Sequence, residues 1–205
     1  MLNEVEFVKY ILTHKIKLQS RSVFRLAFMI AKYLHEQGKE NKDIRLELIK
    51  WARFQEISLC FDINSMIYAA TKSKVPLKSD FEVWISDNDI DTIKMMFDKP
   101  RTKLVALIIL CLCKIEQTDE IYFNVNVLAQ WLNKCSQHLH SRTLKELESF
   151  GYIERLKEDT EDVFRVFGNK KYYAQNKIKL LVDFDEKGEY LINSNNLDCL
   201  KALVE

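Results

Sequence analysis

The chain has 205 residues, with 31 Lys+Arg against 30 Asp+Glu and a formal net charge of +1. Hydrophobic residues at 47% and charged residues at 30% fit an ordinary globular protein and exclude a disordered or collagen-like chain. Four glycines and two prolines are too few for a turn-dense β-sandwich or a glycine-rich phosphate loop, so long helices are expected.

Apolar residues at helical spacing predict a first helix over 3–13, with Val5, Val8, Ile11 and Leu12 on one face. A second runs from Ser20 or Ser22 to Gln37, burying Val23, Leu26, Ala27, Ile30, Ala31 and Leu34, and Gly38 stops it. A third, from Lys42 to Gln55, turns Ile44, Leu48, Trp51 and Ala52 to one side. Asp62 or Asn64 caps a fourth carrying Met66, Ile67 and Ala70, and a basic loop with Pro76 follows. Ser86 and Asp89 have the spacing of a capping box and open a helix over Asp87–Phe97. Pro100 suits a first helical turn. The stretch Leu104–Cys113 is apolar on every face. It is half of the roughly 20 residues that a membrane span needs, so it reads as a buried core helix and no membrane partner is expected.

The five cysteines (Cys60, Cys111, Cys113, Cys135 and Cys199) are odd in number and lack the spacing of a disulfide framework. They read as reduced thiols of a cytoplasmic protein. Acidic Glu4 and Glu6 stand where a secretion signal needs basic residues, so none is expected.

From Arg101 onward the pattern changes. A short strand at Ile121–Phe123 follows the apolar helix. Asn124 or Asn126 then caps a helix with Val127, Leu128, Trp131 and Leu132. A tight turn at 133–135 leads to Ser136, a good N-cap. The next helix turns Leu139, Thr143, Leu144, Leu147 and Phe150 inward, and Gly151 ends it. Tyr152–Arg155 starts a strand, with Val163–Phe167 as its expected partner across an acidic turn. A second hairpin is expected between 177–184 and 189–193, with Gly188 in the turn, and a short helix through Leu197, Leu200 and Leu203 closes the chain.

The order helix, strand, helix, turn, helix, glycine, hairpin resembles the winged helix-turn-helix domain of bacterial regulators. The segment SRTLKELESFGYIER at 141–155 carries the resemblance most directly, and the likeness covers residues 101–175. With the helices read from periodicity ahead of it, the expected chain is mainly α: a helical domain over 1–99, then a winged-helix-like domain with small β-hairpins and a C-terminal hairpin extension over 100–205. In its Lys/Asn/Ile-rich style the chain also broadly resembles small proteins of bacteriophages and mobile elements of Gram-positive bacteria.

With the leucines inward, the helical period leaves Gln137, His138, His140, Ser141, Arg142 and Lys145 outward. Arg and Lys read guanine edges or phosphate, Gln can bridge adenine, and Ser can bond either. The helix N-terminus at Ser136 also suits a phosphate. Arg155, Lys170 and Lys171 are the expected phosphate contacts of the wing. Glu146 and Glu148 lie near this surface and dilute its charge. The expected function is duplex DNA binding without enzymatic activity, as a transcription regulator or replication accessory. The alternative is an interaction or inhibitor module that binds another protein through the same scaffold. Self-association as a homodimer stays open. The near-neutral total hides +5 over residues 1–75 and +2 over 101–157, cancelled by −3 over 76–100 and −3 over 158–205.

Other constellations carry less. Cys111 and Cys113 are two apart on a helix and face different ways, so with Cys135, His138 and His140 they make a poor zinc set. Asp87, Asp89 and Asp91 alternate like a calcium loop but run into an apolar helix, which makes them an acidic first turn. No strained nucleophile turn is present, and no cofactor or metal is expected. Lys9, Lys15, Lys17, Arg21, Arg25 and Lys32, interleaved with Tyr10 and Phe24, form either a basic patch or a solvated helical face.

Overall fold

The structure, a computed structural model, describes residues 2–19, 22–74, 76–79, 81–123, 125–132, 138–156 and 176–205. It is mainly α, with small antiparallel strand pairs. The chain forms two compact units, Asn3–Ser79 and a second made of Leu2 and the described residues from 81 onward.

The first unit holds α1 (Glu4–Thr13), α2 (Val23–Glu36), α3 (Asn41–Phe54) and α4 (Ile63–Lys72). The inward faces follow the sequence period: Ile44, Leu48, Trp51 and Ala52 are the buried residues of α3, and Met66, Ile67 and Ala70 those of α4. Asp62 caps α4, accepting from the Asn64 N–H at 3.0 Å. Gly38, at φ +77°, ends α2: its N–H reaches the His35 carbonyl while Lys39 N–H reaches Leu34. The carbonyls that α1 leaves unpaired at its C-terminus are met by α3. Trp51 Nε1 donates to the Ile11 carbonyl at 3.2 Å, and Gln55 Nε2 donates to Ile11 at 2.9 Å and to His14 at 2.7 Å. At the other end, the Glu4 and Val5 N–H groups donate to the Lys78 carbonyl.

Among the described residues the N-terminal cations do not all lie on one exposed stripe. Lys32 is buried and donates to Ser73 Oγ at 3.0 Å. The Arg25 guanidinium lies 5.4 Å from the Phe28 ring centre, and burial lowers its pKa. Lys15 pairs with Glu56 at 2.6 Å. Arg21 lies outside the described residues. A helical period cannot show this, because α2 buries Lys32 with its apolar stripe and partly covers Arg25 at its margin.

The second unit contains β1 (Val83–Ile85), α5 (Asp87–Met96), α6 (Pro100–Glu116), β2 (Glu120–Phe123) and α7 (Val125–Trp131). A π-helical turn (Leu139–Thr143) then runs into α8 (Leu144–Ser149), followed by β3 (Ile153–Leu156), β4 (Asn176–Leu180), β5 (Tyr190–Ile192) and α9 (Leu197–Val204). Every residue of α6 from Leu104 to Cys113 is buried. An all-apolar helix needs neighbours on every side. It has them in α5, α8, α9, β1, β2, β4 and the π turn. Each fully buried Leu or Ile contributes about 1.5–3 kcal/mol to this core. The division of the chain falls ahead of the 99/100 boundary read from the sequence, because β1 and α5 already pack on α6.

The strand pairing departs from expectation. β4 is the central strand of an antiparallel sheet ordered β2-β4-β3, with Ile121 opposite Ile178 and Ile153 opposite Leu180. The expected partner of β3, Val163–Phe167, lies outside the described residues. The hairpin expected between 177–184 and 189–193 does not form: β5 instead pairs with β1, placing Trp84 opposite Leu191. Ile178 and Leu180 are buried in the core, and β2 and β3 occupy both edges of β4. Val182 and Phe184 pack on the same core, so the chain is carried past β4 before it turns.

The capping box at α5 is present. Asp89 N–H donates to Ser86 Oγ at 3.0 Å and Ser86 N–H donates to Asp89 Oδ2 at 3.1 Å. The C-terminal segment fastens there: Ser86 Oγ–H donates to Asp185 at 2.6 Å, Asp87 N–H to Glu189 at 3.0 Å and Tyr190 O–H to Asp87 at 2.9 Å. The Ser86 and Asn88 donors hold the Asp185 carboxyl below its usual pKa.

Candidate nucleic-acid interface

The helical segment 138–149 is ended by the glycine that the sequence marked. Gly151, at φ +68°, takes the left-handed position that costs a side-chain-bearing residue energy. Its N–H donates to the Glu148 carbonyl, and Tyr152 N–H donates to Leu147. These two bonds form a Schellman stop, which turns the chain into β3. Tyr152 anchors that exit. It is fully buried, donates its hydroxyl to the Ala106 carbonyl at 3.1 Å and sets its ring edge-on to Phe97 at 5.4 Å. Burial raises its pKa.

Leu139, Thr143, Leu144 and Leu147 face inward as expected. Phe150 does not. It is 56% exposed, because it occupies the cap beyond the last helical turn, where the helical period no longer sets direction. Its ring edge still meets Phe97 at 5.6 Å.

The N-terminal turn of the segment is π-helical: Leu144 N–H bonds to the Leu139 carbonyl, one residue further back than in an α-helix. Thr143 Oγ1 is buried there without a hydrogen-bond partner among the described residues. An unpaired buried hydroxyl costs about 1–3 kcal/mol. Thr143→Val keeps the shape and removes that cost. A thermal melt should therefore show the variant unchanged or stabilised by about 1 kcal/mol. A clear loss would mean that the hydroxyl does useful bonding.

Of the expected contacts, His138, Arg142 and Lys145 are exposed. His140 and Ser141 belong to the π turn. Gln137, Lys170 and Lys171 lie outside the described residues, as do Ser136 and Cys135. Arg155 is already engaged: its Nε donates to Glu148 Oε2 at 3.0 Å and its Nη2 to the same oxygen. Two partners missing from the sequence reading are Lys99 and Thr102, at the start of α6. Lys99 Nζ donates to both Glu146 carboxylate oxygens at 3.1 and 3.0 Å, and Thr102 Oγ1 donates at 3.1 Å. No local spacing signals these bonds, because the partners lie 44 and 47 residues apart. Both acids that dilute this surface in the linear reading are thus met by donors within the unit.

Cys111 and Cys113 are buried, and burial pushes the Cys111 thiol up to about 12, far from the thiolate that metal or nucleophilic chemistry needs. Among the described residues no three His, Cys, Asp or Glu side chains converge on a metal position. No helix among them is long and apolar enough to cross a membrane.

No family model, curated protein or solved structure matches the chain.

Proposed function

We propose that the second unit is a winged-helix-like module that binds duplex DNA, in a non-enzymatic regulator of transcription or accessory of replication. The observation that carries this reading is the charge arrangement on segment 138–149. Arg142 and Lys145 are exposed, while Glu146 and Glu148 are engaged by Lys99, Thr102 and Arg155. The order α6, β2, α7, segment 138–149, Gly151, β3 supports it, as does a small antiparallel sheet beside the helix. The fold class alone would not, because such scaffolds also hold proteins.

Anisotropy titration of a labelled duplex tests the reading. Affinity should fall steeply with salt, with log K changing by about −0.9 per log unit of salt for each phosphate contact. Replacing Arg142 and Lys145 together by Glu should weaken binding about tenfold or more at low salt, with the melting curve retained. No duplex binding at low salt, or an unchanged affinity in the double variant, would overturn the reading. A co-purifying protein that survives nuclease would point to a protein partner instead.

A further inference from the structure

Glu148 sits between two cations that the proposed interface needs. Arg155 donates to its Oε2 through Nε and Nη2. That contact, with a smaller pull from Lys145 one turn earlier, holds the Glu148 carboxyl below its usual pKa. The Arg155 and Glu148 side chains are 32% and 37% exposed, so solvent and a ligand reach both. A guanidinium fork accepts a carboxylate or a phosphate in the same geometry. Exposed ion pairs are weak, so a change of partner is cheap. The Arg155 backbone is held opposite Ile178 by the β3–β4 pairing, so only its side chain needs to turn.

We propose that Glu148 is an internal stand-in for a DNA phosphate, holding Arg155 until a backbone phosphate displaces it and so lowering DNA affinity from within the interface. This rests on the DNA-binding reading above. Glu148 is thus a regulating residue that acts through Arg155.

The test compares Glu148→Gln with Glu154→Gln, an exposed acid on β3, in the full chain against one labelled duplex. Both remove one negative charge, but only the first releases Arg155. E148Q should tighten binding about fivefold or more and steepen the salt slope by about 0.9, the value of one added phosphate contact. E154Q should stay within about twofold of wild type, the size of an exposed, screened charge that holds no interface cation. Adding Arg155→Gln to E148Q should erase the gain. Glu148→Ala serves as the second variant if E148Q melts early. The inference is overturned if E148Q binds like wild type, if E154Q gains as much, or if the gain survives R155Q. If wild type binds duplex in these cases, only the inference falls. If wild type binds no duplex at low salt, the DNA reading falls and takes the inference with it.

Discussion

Asp89→Ala should destabilise the second unit by about 3–5 kcal/mol, the usual cost of leaving one member of a buried ion pair without its partner. Lys114 Nζ donates to Asp89 Oδ2 at 2.5 Å, and the two side chains are only 7% and 2% exposed. Without the carboxylate, the ammonium keeps the Trp84 carbonyl at 2.8 Å and the face of Phe184 at 5.9 Å. Neither carries a full charge, and the solvent-facing Asp185 carboxylate, which feels Lys114 only weakly, is the nearby counter-charge that remains. The same substitution removes one half of the α5 capping box and the acceptor of the Asp185 N–H at 3.3 Å. Urea unfolding followed by circular dichroism measures the loss. Adding Lys114→Met should recover part of it, since an apolar pair of similar volume no longer buries an unmatched charge. A loss below about 1 kcal/mol in the single variant would show that water reaches the pair as it does at a surface.

Gly188→Ala is the second large expected effect. A Cβ built on Gly188 would stand 2.2 Å from the Ile85 carbonyl carbon, 2.3 Å from its oxygen and 2.5 Å from Ser86 N. All three are backbone atoms, so no side chain can rotate away. Ile85 accepts from Glu189 N–H at 3.0 Å and pairs with Tyr190, so the clash falls on the pairing that docks the C-terminal segment. The expected cost is about 1–3 kcal/mol, as for overpacking at a tight site. Hydrogen exchange should show lost protection over β5 before α6 is affected. An unchanged melt with unchanged protection would mean that the strands separate freely.

Much of the fold was legible in local pattern. The buried faces of α3 and α4 match the periodic positions, the α5 capping box is made by Ser86 and Asp89, and Gly38 and Gly151 take the positive φ that ends a helix. The candidate site was legible in part. Arg142 and Lys145 are exposed where the period puts them, while Phe150 is not buried as the linear reading had it, and the pairing of Arg155 with Glu148 was not readable there. The strand β1 went unread, since Val83–Ile85 is three residues and carries almost no period of its own.

Helix positions, caps and stops in this protein follow from residues three or four apart, and those relations are written along the chain. Partner choice is a different kind of information. Alternation at Lys177–Leu180 says that a strand forms, but it reads the same whether the neighbour is β5 or the pair β2 and β3. Burial of Ile178 and Leu180 against α6 settled that choice, and β5 was left to pair with β1. Charge behaved likewise. A net +1 and two diluting glutamates are properties of the composition. Packing alone brought Lys99, Thr102 and Arg155 onto those glutamates, because ion pairing depends on distance in space and not on separation along the chain.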